Sequence, residues 1–157
     1  MANRFQVQAL DYGQFSCYFS LSDDELAGLN AARMVVTETP GTPCRVSLSD
    51  AEVGEEVILV SFNHLATASP YQAKGPIFIR KNAEPANLSP NELPTMLRSR
   101  ILSVRAYSAA GFMNDATVVP GSEIDAVIDS FLDDRETEFV HIHFAKPGCF
   151  ACSIVRA

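Results

Sequence analysis

The C-terminal stretch, residues 139–156, constrains the fold more than any other part of the sequence. Its first half alternates apolar residues with histidines, in the order Val140, His141, Ile142, His143 and Phe144. This alternation is the period of a strand with one buried face, so we expect the apolar residues to face a core and both histidines to share the opposite face. Pro147-Gly148 then suits a type II turn, because proline fixes φ and glycine accepts a positive φ. The stretch therefore predicts a β-hairpin.

The register of this hairpin depends on the length of its loop. If Pro147-Gly148 is the whole loop, His143 lies opposite Cys152 and His141 lies opposite Ile154. A type II turn matches the twist of a hairpin poorly, so a longer or bulged loop is the alternative. A shift of one residue would move Cys152 to the other face of the sheet.

Length and composition limit the classes of protein to which the chain can belong. A chain of 157 residues with 47% hydrophobic residues predicts a single domain, residues 1–157, with its own core. A net charge of −7 argues against nucleic acid and anionic membranes as partners, because both are negatively charged and bind clusters of positive charge. No apolar run approaches the roughly 18 residues of a membrane span. The N-terminal residues lack the apolar segment of an export signal, so we expect a cytoplasmic protein with reduced cysteines.

The N-terminal third combines alternating segments with one helix signal. Residues 5–9 and 15–19 alternate apolar and polar side chains, which predicts two strands and puts Cys17 on a buried face. Ser22 and Glu25 form a capping box. We expect the helix that they start to run to about residue 33 and to bury Leu26 and Leu29.

The rest of the chain predicts further strands and a second helix. The expected strands are residues 56–62, covered on both faces, and residues 76–80, 101–107 and 116–119. The second helix begins at Ser122 and carries a single apolar stripe, formed by Ile124, Val127, Ile128, Phe131 and Leu132. The fold class expected from these elements is α+β, with one mixed, mainly antiparallel sheet of six to nine strands and two principal helices.

Several blocks of the sequence together resemble a known family. They are Cys44-Arg45-Val46-Ser47-Leu48, Gly54-Glu55, Ser69-Pro70-Tyr71, Gly75-Pro76-Ile77-Phe78, Arg105-Ala106-Tyr107 and the closing His-x-His, Gly-Cys-Phe and Arg. The chain resembles an uncharacterised bacterial family, the domain of unknown function 1203, over nearly its whole length. The resemblance implies a small single-domain bacterial protein, and it supplies no activity, substrate, cofactor or functional residue.

The cysteines and histidines of the hairpin suggest three kinds of chemistry. A metal site would use His141, His143, Cys149 and Cys152, with Cys44 as a further ligand, but a single Cys-x-x-Cys is only half of a zinc knuckle pair. A thioredoxin-like redox pair needs a helix after its cysteines, and the five residues that remain are too few. A nucleophilic cysteine paired with a histidine stays open. We therefore predict no metal and no cofactor, and we name no catalytic residue.

A binding function is the leading hypothesis. Three arginines lie in or beside predicted strands and could hold an anionic small molecule in one cleft, since a guanidinium matches carboxylate and phosphate. The expected site lies near the hairpin and uses Arg45, Arg80, Arg105, Tyr71, His141, His143 and Cys149. Each arginine could instead pair with one of the 19 acidic residues, and His64 is expected to be a loop histidine. The alternative function is a structural or oligomeric interaction protein, such as a homodimer, without catalytic activity.

Overall fold

The computed structural model describes residues 4–157, which form eight strands in two sheets. The strands are β1 (Phe5–Gln8), β2 (Ala31–Val35), β3 (Glu56–Leu65), β4 (Ala73–Arg80), β5 (Ile101–Tyr107), β6 (Met113–Pro120), β7 (Phe139–Phe144) and β8 (Phe150–Arg156). One sheet has the order β1-β8-β7-β5-β6 and the other the order β2-β3-β4. Every pairing between these strands is antiparallel. The N-terminal stretch, in which the sequence predicts no export signal, includes residues 1–3, which lie outside the described residues.

The helices are short. They are α1 (Asp23–Gly28), α2 (Thr95–Arg98) and α3 (Ile124–Asp133), with 3₁₀ turns at Tyr12–Gln14, Ser16–Ser20 and Gly121–Glu123. The expected mainly antiparallel architecture is confirmed. The expectation of one mixed sheet and two principal helices is wrong, because the strands divide into two sheets and only α3 exceeds two turns. Within residues 4–157, no helix has the length and apolar character needed to cross a membrane.

The larger sheet buries one face against α3. The predicted stripe of this helix is confirmed, since Ile124, Ile128, Phe131 and Leu132 are buried in the core and Val127 packs at its edge. Facing them are the inward residues of the hairpin, Val140, Ile142 and Phe144, which are also buried as predicted. The opposite face of this sheet therefore carries His141 and His143.

The smaller sheet has its own apolar cluster. Ile58 and Val60 of β3, together with Ile77 and Ile79 of β4, are buried with Leu26 of α1. Val57 is buried on the other side of β3, with Val36 and Ala51. The expectation that β3 is covered on both faces is therefore confirmed.

The predicted second strand, residues 15–19, is wrong. This segment forms 3₁₀ turns, and Cys17 is exposed rather than buried. The physical reason is the spacing of Tyr12, Phe15 and Tyr18, which lie three residues apart and therefore share one side of a 3₁₀ helix. All three pack against the core of the smaller sheet.

The first helix begins as predicted and ends early. The capping box of Ser22 and Glu25 is present, and Leu26 is buried. The helix stops at Gly28, however, and Leu29 is 51% exposed, because Asn30 adopts a left-handed φ of 54° and the chain then pairs with β3. Strand pairing overrides the helical pattern here.

The contact between α2 and the 3₁₀ turn that precedes α3 leaves no room for a side chain at Gly121. A Cβ atom there would lie 1.8 Å from the backbone oxygen of Leu97. We expect Gly121→Ala to lower the free energy of unfolding by about 3 kcal/mol, which is the upper end of the usual destabilisation caused by overpacking. Urea titrations measure this difference. The matched control is Gly28→Ala, whose Cβ meets nothing within 4 Å and whose effect should be neutral or slightly stabilising. Equal stability of both variants would contradict this packing.

Candidate functional site

The hairpin has a longer loop than Pro147-Gly148 alone. The Phe144 amide donates to the Cys149 carbonyl at 2.9 Å, so residues 145–148 form the loop and Gly148 takes a φ of 79°. A register shift after Ile142 places Cys152 opposite Ile142 and Phe150 opposite His143. The pairing of His143 with Cys152 expected for a two-residue loop is therefore wrong.

This register separates the two cysteines of the Cys-x-x-Cys. Cys152 lies in the core on the face away from His141 and His143, and burial raises its pKa to about 12. Cys149 stays in the turn and is partly exposed. The ligand set of the metal hypothesis is thus divided between two faces of the sheet. Across residues 4–157, no group of three histidine, cysteine, aspartate or glutamate side chains is arranged to hold a metal ion.

Three histidines instead meet between the sheets, and we call His64, His141 and His143 the histidine cluster. The ring centroids of His64 and His143 are 5.0 Å apart, and those of His64 and His141 are 6.2 Å apart. His64 is a residue of β3, so its expected loop position is wrong. The Phe150 ring stacks on His64 at 5.4 Å. The cluster therefore links the smaller sheet to the hairpin.

The histidine cluster is held neutral. Burial, followed by the charges of neighbouring groups, lowers the pKa of His141 to about 3. Burial likewise lowers the pKa of His143 to about 4, and it also lowers that of His64, with the Arg105 charge adding to it. Nδ1 of His143 lies 3.0 Å from the Gly148 carbonyl, which can only accept, so this nitrogen carries the proton. Around neutral pH these rings act as uncharged donors and acceptors.

One nitrogen of each ring in the histidine cluster is buried without a hydrogen-bond partner among the described residues. These atoms are Nδ1 of His64, Nδ1 of His141 and Nε2 of His143. His64 and His141 also border a cavity of about 530 Å³, which is lined by residues of β1, β3, β7 and β8. Unsatisfied nitrogens of this kind are compatible with bound water as well as with a ligand, so they do not by themselves define a site.

The other predicted site residues lie in separate parts of the structure. Arg105 lies opposite His141 in the sheet, and its Nε donates to Ser103 Oγ at 3.1 Å. Tyr71 is exposed and packs edge-on against Tyr107, with ring centroids 6.3 Å apart. Arg80 pairs with Glu55, its Nε lying 2.6 Å from Oε2. The expected convergence of three arginines on one cleft is therefore wrong.

Arg45 has the most unusual environment of the three arginines. The residue is 1% exposed. Its backbone lies beside the smaller sheet, where its amide donates to the Phe78 carbonyl of β4. Its side chain reaches across to the hairpin: Nε donates to the Phe150 carbonyl at 2.7 Å, Nη2 donates to Cys149 Sγ at 3.0 Å, and Nη1 donates to the Pro43 carbonyl. Within residues 4–157 no carboxylate pairs with it. Burial lowers the pKa of its guanidinium.

Arg45 borders a cavity of about 700 Å³ between the sheets, which we call the arginine pocket. Its lining is Gly41, Pro43, Arg45, Leu59, Pro76, Phe78, Ser99, Arg100, Ile101, Phe144, Lys146, Pro147 and Cys149. The guanidinium carbons of Arg45 and Arg100 both lie 5.1 Å from the centroid of the Phe144 ring. Asp50 neutralises Arg100 through a contact of 2.6 Å, and Lys146 is exposed at the edge of the cavity. The pocket thus combines apolar walls with one buried cation that has no counterion.

Two charged members of the arginine pocket, Arg100 and Lys146, were not predicted as site residues from the sequence. Arg100 directly precedes β5 and Lys146 lies in the hairpin loop, so both are close in sequence to elements that were predicted. Neither position carries a local pattern that distinguishes it from an ordinary surface residue. Phe144 was expected in the core, where it is buried, but its ring also faces the pocket.

Comparison with known proteins gives one match. A family model described as "Protein of unknown function (DUF1203)" matches residues 41–156. This range contains the histidine cluster and every residue that lines the arginine pocket. No curated protein and no solved structure matches the chain.

Proposed function

The chain belongs to DUF1203, a family of proteins of unknown function, and we propose that it binds an anionic small molecule with an apolar body in the arginine pocket. The buried guanidinium of Arg45 anchors the anion, and the apolar walls hold the rest of the ligand. The expected setting is the cytoplasm, where Cys149 stays a thiol. The class of ligand that fits this chemistry best is a monocarboxylic acid with an alkyl or aryl group.

The observation that carries this proposal is a buried cation without a counterion. A charge removed from water costs several kcal/mol unless a partner of opposite charge offsets it. The three partners of Arg45 are two carbonyl oxygens and a thiol, none of which is a carboxylate. The chain has 19 acidic residues, so the lack of a partner does not reflect a shortage of carboxylates. A bound anion supplies the missing charge.

The walls of the pocket favour an organic anion over inorganic phosphate. Phe78, Phe144, Leu59 and Ile101 contribute apolar surface, and ligand sites typically combine such walls with a few polar groups. A volume of about 700 Å³ is within the usual range for small-molecule sites. Burial of an alkyl or aryl group therefore adds to the attraction between the carboxylate and Arg45.

Octanoate is expected to raise the melting temperature, whereas 1-octanol, with the same chain and no charge, should not. At 100 times its dissociation constant a ligand stabilises the fold by about 2.7 kcal/mol, which a thermal-shift assay detects readily. Arg45→Met should abolish the shift. Arg80→Met is the matched control, because Arg80 pairs with Glu55 outside the pocket, and it should keep the shift.

Because Arg45 also ties the two sheets together, a second variant leaves its contacts intact. Lys146→Glu reverses the charge of an exposed residue at the edge of the pocket and should weaken octanoate binding about fivefold. Equal shifts with octanoate and octanol, or full binding by Arg45→Met, would overturn the proposal. The absence of any shift together with a stable homodimer would favour the structural or oligomeric interaction protein.

A further inference from the structure

Cys149 is the cysteine of the arginine pocket. It is partly exposed, it lines the cavity, and its Sγ lies 3.0 Å from Nη2 of Arg45. Cys44 and Cys152 are buried, and Cys17 is exposed away from the pocket. Cys149 is therefore the one of the four thiols that an occupant of the pocket can reach.

Arg45 supplies an independent reason to expect an anion beside this sulfur. The guanidinium is 1% exposed, has no carboxylate partner among residues 4–157, and borders the same cavity. A carboxylate bound to Nη2 brings the carbon atoms next to it within a few ångström of Sγ. Such positioning turns a bimolecular encounter into a reaction within one complex.

We infer that Cys149 is a covalent capture site for small electrophilic carboxylic acids, a role that rests on the proposed anion binding. The acid binds through its carboxylate to Arg45 and presents its α-carbon to the sulfur. With an α-halo acid, the sulfur forms a bond to the α-carbon while the carbon–halogen bond breaks. The halide leaves with the bonding electron pair, and the thiol proton goes to the solvent. The product is a thioether whose carboxylate stays on Arg45.

The test compares iodoacetate with iodoacetamide on the whole protein, with the rate at each cysteine read by peptide mass spectrometry. A negatively charged reagent is repelled by a thiolate, so a cysteine without a nearby cation prefers the amide. Cys17, which is exposed and lies outside the pocket, provides the reference. We expect the ratio of the iodoacetate rate to the iodoacetamide rate to be about tenfold higher at Cys149 than at Cys17.

Two variants and one competitor separate capture from simple exposure of the thiol. Arg45→Met should return the rate ratio at Cys149 to that of Cys17, and Lys146→Glu should lower it while leaving the Arg45 contacts in place. Octanoate should protect Cys149 and leave Cys17 unaffected.

The octanoate response of the wild-type protein distinguishes the failure of capture from the failure of the proposed function. Equal rate ratios at the two cysteines, with octanoate still raising the melting temperature of the wild type, would overturn capture and leave anion binding standing. Equal ratios with no octanoate response in the wild type would overturn both.

Discussion

Lowering the pH from 8 to 5 is expected to reduce the free energy of unfolding by about 4 kcal/mol. The cause is the histidine cluster, where burial lowers the pKa of His141 to about 3 and that of His143 to about 4. In the unfolded chain both rings titrate near 6.5, so below that pH the unfolded state binds protons that the folded state does not.

The sign and the size of this effect follow from the direction of these shifts. The contribution of these histidines to the free energy of unfolding is fully present above about pH 6.5, the pKa of a histidine in the unfolded chain. It is lost as the pH falls from there toward the pKa values of the folded state. At pH 5 each ring accounts for about 2 kcal/mol, and His64, whose pKa is also lowered, adds to the loss. A loss of this size is a large fraction of the 5–15 kcal/mol typical of natural domains. The pKa values of carboxyls such as Glu55 and Asp125 are also lowered. Their contribution to the free energy of unfolding is lost mainly at lower pH, where they become protonated.

Urea titrations at several pH values measure the effect, and single replacements assign it. In His143→Asn the amide can still donate to the Gly148 carbonyl, and in His141→Phe a ring still packs against Tyr107 and Phe150. Each variant should shrink the loss between pH 8 and pH 5 by about 2 kcal/mol. Asp24→Asn, at an exposed position in α1, is the control and should leave it unchanged. A wild-type stability that is flat from pH 8 to pH 5 would show that the histidines titrate freely in the fold.

Phe131→Ala is expected to lower the free energy of unfolding by about 3–5 kcal/mol, as is usual when a buried aromatic ring is removed. Phe131 lies on the apolar stripe of α3 and is buried against the larger sheet, with Ile128 and Leu132 beside it. The cost combines the lost transfer of the ring from water with the cavity that it leaves. Chemical denaturation of the variant and the wild type gives the difference directly.

The matched control for Phe131→Ala is Phe112→Ala. Phe112 is 48% exposed and contacts Tyr71 at the surface, so its removal should cost less than about 1 kcal/mol. A small effect of Phe131→Ala, similar to that of the control, would mean that the helix does not bury its stripe in solution.

The two sites described above share Phe150. Its ring stacks on His64 of the histidine cluster, and its carbonyl accepts the Nε hydrogen bond of Arg45. The first residue of β8 thus sets the position of both the neutral histidines and the buried cation. Its place opposite His143 depends on the register shift in the hairpin.

Local patterns in the sequence were enough to predict those features that depend on residues only a few positions apart. The alternation of residues 140–144 was enough to predict which side chains of β7 face the core under α3, because strand geometry sends successive residues to opposite faces. It did not show that His141 and His143, on the other face, are buried as well. The capping box at Ser22 and the stripe of α3 were readable for the same reason, since both depend on spacings of three or four residues. The family resemblance was also visible, and the family match confirms it.

Tertiary structure alone decided which distant residues meet. Arg45 and Cys149 are 104 positions apart, and His64 reaches the hairpin from a different sheet. A periodic pattern shows which side chains of a strand share a face and cannot show what covers either face. The end of α1 and the loop of the hairpin were settled in the same way, by pairing with a neighbouring strand that local propensity does not include. Arg45 is buried beside a pocket because the two sheets close over it, although its neighbours in the sequence would suit a surface ion pair equally well.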